Sequence, residues 1–320
     1  MSGTMARPEI AGGNVVAAPA AGSRRLLQTH DGTFTHAFGW IEWMLLVSIA
    51  LIWGASFFFM EVGLRGFQPG VIALARICLG AMALACFPRA RNPVERQDLP
   101  RIALLGVAWM GIPLILFPVA QQWIDSSVAG MLNAAVPLTA AAWAAILMRR
   151  LPRRRQVLGL LTGFAGILAI SLPEVRGAES SALGVALVLL AVVFYGLSTN
   201  IAVPLQQRYG AAPVLLRALL VAIAVVAPFG LWSVGGSHWR WDSALAMLPL
   251  GFLGSGVAFV LTTTLVGRVG ATRGSVAIYF VPIVAIGLGV AVLGESLSAL
   301  AVLGTALVLA GAWITSRRAD

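Results

Sequence analysis

The chain has 320 residues, of which 59% are hydrophobic and 11% are charged, and it carries a net charge of +10 at pH 7. Soluble globular proteins have about a quarter of their residues charged, so this composition excludes a soluble protein and indicates an integral membrane protein. Every basic residue is an arginine, and the absence of lysine excludes a P-loop and a lysine Schiff base.

The first 39 residues are rich in Ala, Gly and Pro, and they predict a disordered tail over residues 1–39. Ten apolar segments follow, each close to the length of about 20 residues that a membrane-spanning helix needs. Their predicted bounds are 40–62, 69–88, 100–121, 126–148, 156–172, 182–204, 212–232, 243–266, 271–293 and 297–316. The loops between them are short, which leaves no room for a soluble catalytic domain.

The two halves of the chain resemble each other, and we predict one five-helix repeat over residues 40–175 and a second over 180–320. A shift of 142 residues aligns "IWGAS" at 52–56 with "FYGLS" at 194–198. A shift of 145 aligns Gly106 with Gly251, Gly111 with Gly256, Pro137 with Pro282, Gly159 with Gly304, and Gly166 with Gly311. Because each repeat has an odd number of helices, the second is inverted in the membrane. The predicted fold is therefore an all-α integral membrane protein whose two inverted repeats are typical of transporters.

Arginine placement predicts that both termini are cytoplasmic. Seventeen arginines fall in the tail and in the loops on one side, whereas Arg65, Arg176 and Arg240 fall on the other side. Clustering at helix ends explains the positive charge without a nucleic-acid partner. We predict a multi-pass protein of the inner (plasma) membrane.

The few polar and aromatic side chains near the predicted midplane are candidates for a substrate site, since small-molecule pockets combine apolar walls with a few polar groups. In chain order they are Trp53, Ser56, Trp109, Asn133, Pro137, Tyr195, Ser198, Tyr279 and Pro282. For each aromatic residue, core packing and pocket lining are both open. Trp53 and Tyr195 occupy equivalent positions in the two repeats, which favours pocket lining for this pair.

Two of these candidates are prolines inside predicted helices. Pro137 should free the carbonyl of Asn133 and Pro282 that of Ile278, because proline has no N–H to donate. We predict that both kinks present backbone acceptors to a central cavity. The alternative is that they bend the helices for packing alone.

Two arginines lie within predicted helices. Arg76 lies about 10 Å into its helix at 1.5 Å per residue, and three roles are open for it: it reaches the membrane surface, pairs with Glu61, or contacts a substrate carboxylate. Arg217 lies similarly close to the opposite surface and has the weaker case for substrate contact.

The acidic residues near the membrane are Glu61, Asp125, Asp242 and Glu295, and all lie at or near helix ends. A proton-coupling carboxylate is expected at the midplane. We therefore predict facilitative transport or exchange. The histidines fall outside the predicted spans, and the two cysteines are predicted to pack within one helix, so we predict no catalytic residue, no metal and no cofactor.

Three stretches resemble the EamA-type branch of the drug/metabolite transporter superfamily. They are "LIWGASFFFMEV" at 51–62, "PGVIALARICLGA" at 69–81, and "VPIVAIGLGVAVLGESLSALAVLGTALVLAGAWI" at 281–314. The resemblance covers residues 40–316 and implies a ten-helix carrier, with the exporters of aromatic and neutral amino acids as the preferred analogy. The first repeat of such carriers often has its own Leu-Gly-Glu turn, but Arg150 stands at the position equivalent to Glu295. No role of that first glutamate is carried over.

We accordingly expect a carrier and not an enzyme. It would export amino acids or similar small metabolites by alternating access. Efflux of drugs, nucleosides or nucleotide sugars is the alternative, and a membrane-embedded enzyme is a remote one. The expected partners are the small-molecule substrate and the lipid bilayer. The oligomeric state is open, with a monomer favoured.

Overall fold

The computed structural model describes residues 26–33, 38–149, 154–177 and 179–316. Its secondary structure over these ranges is helical throughout, without strands, and confirms the predicted all-α fold. Seven helices in the described part are long and apolar enough to cross a membrane, and three shorter apolar helices complete the predicted ten. Most of the predicted tail lies outside the described residues.

The ten helices follow the predicted order along the chain. The first five are α1 (Trp40–Leu64), α2 (Pro69–Ala85), α3 (Leu99–Leu105, Gly106–Gly111 and Ile112–Ala120), α4 (Ser126–Asn133 and Val136–Leu147) and α5 (Arg154–Gly177). The second five are α6 (Glu179–Tyr209), α7 (Ala211–Trp232), α8 (Trp241–Leu248, Pro249–Val257 and Ala258–Val269), α9 (Ala271–Gly274, Ser275–Phe280, Val281–Leu288 and Gly289–Leu293) and α10 (Ala299–Ser316).

Helices α4 and α9, which are equivalent in the two repeats, are interrupted just before a proline. The first part of α4 ends at Asn133 and the second begins at Val136, so that Pro137 is the second residue of a new helix. In α9 a 3-10 stretch gives way to Val281–Leu288, which has Pro282 in its second position. Proline loses no hydrogen bond in a first helical turn. The two prolines therefore begin half-helices, where the sequence predicted kinks in continuous ones.

The two repeats cross through equivalent contacts. A Cβ added to Gly54 on α1 would lie 2.4 Å from the Val284 Cβ on α9, and one added to Gly196 on α6 would lie 2.3 Å from the Thr139 Oγ1 on α4. Val284 and Thr139 are themselves 145 residues apart, and each stands two residues after its helix-starting proline. Such a pairing of equivalent residues is the geometry that an inverted duplication produces.

The other crossings repeat this relation. Helix α2 packs on the π-helical stretch Pro249–Val257 of α8, and α7 packs on the corresponding π-helical stretch Gly106–Gly111 of α3. Helices α5 and α10, the last of each repeat, pack on one another through their glycines. Small residues allow this close approach of helix backbones.

The bundle has two chemically different ends. The loops after α2, α6 and α8 lie at what we call the arginine-rich end, and the opposite, arginine-poor end carries Arg65 and Arg240. The described part of the tail, Leu26–Thr33, has no helix and lies at the arginine-rich end. There Arg101 Nη2 donates to Gln28 Oε1 at 2.8 Å, and Gln207 Nε2 donates to the Asp31 carbonyl at 2.9 Å.

Candidate functional site

Three aromatic side chains predicted near the midplane meet inside the bundle. The Trp53 ring is parallel to the Tyr195 ring, with centroids 6.5 Å apart, and it meets Phe259 edge-on at 5.1 Å. Trp109 meets Phe259 edge-on as well, at 5.3 Å. Helices α1, α3, α6 and α8, from both repeats, thus contribute to one aromatic contact.

Two further rings extend this contact. Phe117 lies 5.6 Å from Tyr195 and 5.5 Å from Phe57, measured between ring centroids. We call the six residues Trp53, Phe57, Trp109, Phe117, Tyr195 and Phe259 the aromatic cluster. Trp53 is 8% exposed and Tyr195 is 9% exposed, and the other members are more deeply buried. The sequence did not single out the three phenylalanines, because phenylalanine is also a common lipid-facing residue.

Trp53 and Ser56 both lie against the π-helical stretch of α8. The Trp53 indole donates to the Gly254 carbonyl at 3.0 Å. The Ser56 hydroxyl donates to the Ile52 carbonyl at 2.8 Å and lies 2.8 Å from where a Cβ of Gly254 would be. In a wide π-helical turn some carbonyls can accept hydrogen bonds from side chains of other helices. Such turns are frequent at functional sites. Gly254 therefore gives α1 a close and hydrogen-bonded contact with α8.

Arg76 lies beside the same stretch and is 3% exposed. Its Nε donates to Ser255 Oγ at 2.9 Å, and its Nη1 contacts Met60 Sδ at 3.2 Å. Within the described ranges it forms no ion pair. Arg76 thus neither reaches the membrane surface nor pairs with Glu61, and two of the three roles that the sequence left open for it are wrong.

Arg217 behaves as a surface-seeking arginine. Its guanidinium donates to the carbonyls of Pro213 and Asn92, both at 2.9 Å, and to that of Ala90 at 3.4 Å, at the arginine-rich end. An arginine near a helix end commonly extends in this way.

Several polar groups, two of them on candidate residues, are buried without a hydrogen-bond partner. In the described part of the chain these include Asn133 Oδ1, Ser198 Oγ, Thr262 Oγ1 and Thr263 Oγ1. Ser198 follows Tyr195 by one helical turn, and Thr262 follows Phe259 by three residues. A buried polar atom without a partner costs about 1–3 kcal/mol, so such atoms call for a ligand, a water or a second conformation.

The remaining candidates lie at the two helix breaks. Asn133 ends the first half of α4 and Pro137 begins the second, while Tyr279 lies in the 3-10 stretch just before Pro282. Tyr279 is buried, at 8% exposure.

Glu295 joins the second repeat to the start of α4. Its Oε1 accepts from the Ser126 N–H at 3.0 Å and from the Ser126 hydroxyl at 2.6 Å, and its Oε2 accepts from the Ser127 N–H at 2.9 Å. A carboxylate is favourable there because the first N–H groups of a helix lack intrahelical partners and carry partial positive charge. Nothing in the sequence named this partner, 169 residues away.

The arginine-poor end carries a cavity of about 310 Å³. Its lining consists of Glu61, Leu64, Arg65, Phe67, Gln68, Gln121 and Gln122. Gln121 Nε2 donates to the Phe57 carbonyl at 3.1 Å, which connects this cavity to the aromatic cluster. Glu61 forms no ion pair with Arg65 or Arg76 among the described residues. Nearby, removal from water and then the charge of Glu295 raise the pKa of the Asp125 carboxyl.

Ion pairs and hydrogen bonds join different helices at the arginine-rich end. Arg268 at the end of α8 donates to Glu42 Oε1 at the start of α1, at 2.8 Å from Nε and 2.6 Å from Nη2. Asp98 before α3 accepts from the Tyr209 hydroxyl at 2.6 Å and from Arg208 Nη1 at 3.3 Å. These contacts join the helices across the end of the bundle opposite the cavity.

Comparison with known proteins shows relatives along nearly the whole chain. An uncharacterized transporter of Archaeoglobus fulgidus is 24% identical over 87% of this chain and 99% of its own. A protein of Streptantibioticus cattleyicolor named as a probable terminal-alkyne amino-acid exporter is 27% identical over 86% of this chain and 93% of its own. A probable amino-acid metabolite efflux pump of Salmonella typhimurium is 24% identical over 84% of this chain and 93% of its own.

A solved crystal structure shares the fold. It aligns with a TM-score of 0.63 at 18% identity, over 86% of this chain and 95% of that one. At this identity the likeness carries the fold alone.

The family model that matches the chain is that of the EamA-like transporter family. It matches twice, at residues 40–172 and 182–317, which together are most of the chain. A family of transporters, with relatives named as transporters, confirms that the protein is a multi-pass membrane transporter and not an enzyme. The chain belongs to the EamA-like transporter family, within the drug/metabolite transporter superfamily.

Proposed function

We propose that this transporter exports amino acids, or small metabolites of similar size, by alternating access. The proposal rests on one observation above all, the aromatic cluster with its adjoining buried polar atoms where helices of both repeats cross. Sites near the crossing of inverted repeats are typical of secondary transporters. The names of the Streptantibioticus and Salmonella relatives support amino acids as the substrate class.

In this proposal the aromatic side chains provide the apolar wall of the site. Trp53, Trp109 and Tyr195 would contact the apolar part of the substrate. Ser56, Ser198, Asn133 and Tyr279 would supply the polar contacts. The half-helices that begin near Pro137 and Pro282 would offer backbone groups, as interrupted helices do in other transporters.

We further propose that the arginine-rich end and both termini face the cytoplasm. The protein would lie in the inner membrane. The conformation described here would then be the one closed to the cytoplasm, because the Glu42–Arg268 pair and the Asp98 contacts join helices at that end. The cavity at the other end supports the same assignment. The two repeats would rock about the aromatic cluster to open each end in turn.

Transport is proposed to be facilitative or by exchange. The carboxylates of Glu61, Asp125 and Glu295 cluster towards the arginine-poor end, away from the aromatic cluster. Proton-coupled carriers are expected to carry their coupling carboxylate near the bilayer midplane, beside the bound substrate.

The test is counterflow by the purified chain in liposomes, with a panel of amino acids, nucleosides, nucleotide sugars and cationic drugs. We expect saturable counterflow of at least one amino acid. Saturable counterflow of nucleosides or drugs alone would replace the proposed substrate class, and an unsaturable conductance would indicate a channel. Trp53→Ala should weaken counterflow strongly, whereas Trp232→Ala, exposed at the end of α7, should not.

The same assay tests the helix breaks. Alanine restores the N–H that proline lacks and allows α4 or α9 to continue as one helix. We expect Pro137→Ala and Pro282→Ala each to change the counterflow kinetics, with Pro88→Ala, in the loop after α2, as the control. Unchanged kinetics in both variants would contradict the role given to the breaks.

A further inference from the structure

We propose that Arg76 binds the carboxylate of the transported substrate, and that the protein therefore selects solutes with a free carboxylate next to an aromatic or aliphatic group. This inference rests on the proposed function, because it assigns the anionic half of the same substrate. Amines, amides and esters of the same shape are therefore not expected to be good substrates.

The first step is the burial of an uncompensated charge. The Arg76 side chain is 3% exposed inside an apolar bundle, and no carboxylate in the described part of the chain pairs with it. Buried arginines in proteins are almost always paired with an acid. An anion that arrives from outside the chain would supply the missing partner.

The second step is the arrangement of hydrogen-bond donors. A guanidinium has five N–H donors in a planar fork that fits a carboxylate with two parallel bonds. The Nε of Arg76 donates to Ser255 Oγ, and its Nη1 contacts Met60 Sδ, which is a weak acceptor. Nη2 makes no hydrogen bond within the described residues. Ser255 thus orients the fork without using its outer face.

The third step is the position of the fork beside the aromatic cluster. Ser255 follows Gly254, whose carbonyl accepts the Trp53 indole N–H. Arg76 and Trp53 are therefore fixed by two consecutive residues of α8. A substrate whose carboxylate lies on Arg76 would have its apolar part against Trp53 and Tyr195.

A second arginine that lies within a helix serves as an internal comparison. Arg217, also on the second helix of its repeat, is satisfied by three backbone carbonyls at the end of the bundle. A purely structural arginine in this chain is thus held by carbonyls, whereas Arg76 is held by one hydroxyl and one thioether.

The experiment compares ligands that differ in the carboxylate, in liposomes that contain the full chain. The ligands are L-phenylalanine, its amide and its methyl ester. We expect wild-type counterflow to favour the acid by about tenfold or more, as one charge-assisted hydrogen bond would give. Arg76→Gln should lose this preference, with similar residual counterflow of acid and amide, and Arg217→Gln should keep it.

Failure of the proposed function and failure of the carboxylate assignment give different results. If the wild type carries no amino acid, the proposed function fails. If it carries L-phenylalanine without preferring it to the amide, or if folded Arg76→Gln keeps the preference, the carboxylate assignment alone is overturned. A general loss of transport with unchanged preference would indicate a purely structural arginine.

A competition experiment on the wild type covers the case in which Arg76→Gln does not fold. 3-Phenylpropanoate keeps the carboxylate and lacks the amine, and phenethylamine keeps the amine and lacks the carboxylate. The first should inhibit L-phenylalanine counterflow, and the second should not. Inhibition by phenethylamine alone would refute the assignment.

Discussion

The carboxylate of Glu295 is a clear case of one side chain that links two distant parts of the chain. It accepts three hydrogen bonds from Ser126 and Ser127 at the start of α4, although it belongs to the loop before α10. The Leu-Gly-Glu turn of the sequence resemblance therefore has a structural reason in the second repeat. Arg150 takes the equivalent place in the first repeat, and an arginine side chain has no acceptor for such hydrogen bonds.

Replacement of Glu295 should destabilise the protein. Glu295→Ala leaves the first N–H groups of α4 without their acceptor, and hydrogen bonds to a charged group are worth about 1.5–3 kcal/mol. We expect a lower unfolding temperature in detergent, followed by tryptophan fluorescence, and a smaller decrease for Glu295→Gln. The matched control is Asp242→Ala, which removes an exposed ion pair with Arg240. Equal unfolding temperatures for both variants would contradict the capping role.

At this scale the sequence singled out the rare aromatic residues and passed over the common ones. Trp53 and Tyr195 were predicted as a pair from their equivalent positions, and they stack. Phe57, Phe117 and Phe259 were missed, because a phenylalanine in a lipid-facing position and one in a core have the same signal. The partners of Arg76 and Glu295 were missed because both lie in the other repeat.

Among the elements, the helix crossings at Gly54 and Gly196 have the sharpest spatial requirement. Neither glycine needs an unusual backbone conformation, and what each supplies is the absence of a side chain where another helix passes. By the repeat relation the two sites should respond alike to substitution.

Alanine at either position should therefore destabilise the protein. The added methyl group overlaps Val284 in one case and Thr139 in the other, and overpacking of this kind costs about 1–3 kcal/mol. We expect Gly54→Ala and Gly196→Ala each to lower the unfolding temperature. Gly287→Ala on α9 is the control, because a Cβ there meets nothing within 4 Å. If Gly287→Ala lowered the unfolding temperature as much as the other two variants, close packing at the crossings would not be the cause of the destabilisation.

The positions of the helices were predicted to within a few residues, but their interruptions were not. Apolar length and loop composition set where a helix crosses the membrane, and α1, α2 and α7 begin and end near their predicted bounds. The π-helical stretches in α3 and α8 have no comparable signal, because they depend on which helix packs against them. The prolines indicated irregularity in α4 and α9, and the structure turns the expected kinks into helix starts.

For the whole molecule, we expect the contacts at the arginine-rich end to favour the conformation that is closed there. The Glu42–Arg268 pair joins the start of α1 to the end of α8, and the Glu42 side chain is 3% exposed. Arg268 is about one-third exposed, so loss of Arg268 leaves the buried Glu42 charge without its partner, whereas loss of Glu42 costs less. The pair thus stabilises the conformation closed at this end.

Arg268→Gln or Glu42→Gln should shift the protein towards the conformation open at the arginine-rich end. The measurement is the reaction of a membrane-impermeant thiol reagent, added at that end, with a cysteine placed at Ser198 in a variant without Cys78 and Cys86. We expect labelling several-fold faster than in the parent. The exchanged pair Glu42→Arg with Arg268→Glu should return labelling towards the parental rate. Failure of the exchange to do so would show that the ion pair is not the closing contact.

The inverted duplication was predictable from five coincident glycines and prolines and from the arginine distribution. What the sequence could not supply is the present conformation, since both ends of such a carrier have the same helices available to close them. That choice depends on pairs such as Glu42 with Arg268, which the chain brings together from 226 residues apart.

One difference between the two equivalent crossings has a consequence for the resting state. Where α6 meets α4, the Thr139 hydroxyl lies 2.9 Å from the carbonyls of Val136 and Val192, whereas the equivalent Val284 brings only methyl groups to α1. The α6–α4 crossing thus contains a hydrogen bond from the Thr139 side chain, and the valine at the equivalent position of the α1–α9 crossing has no polar group to form one. We expect separation of the α6–α4 crossing to cost more than separation of the α1–α9 crossing, because a buried hydrogen bond would be broken. An unequal cost at the two crossings would leave the two conformations of the carrier unequally populated in the absence of substrate.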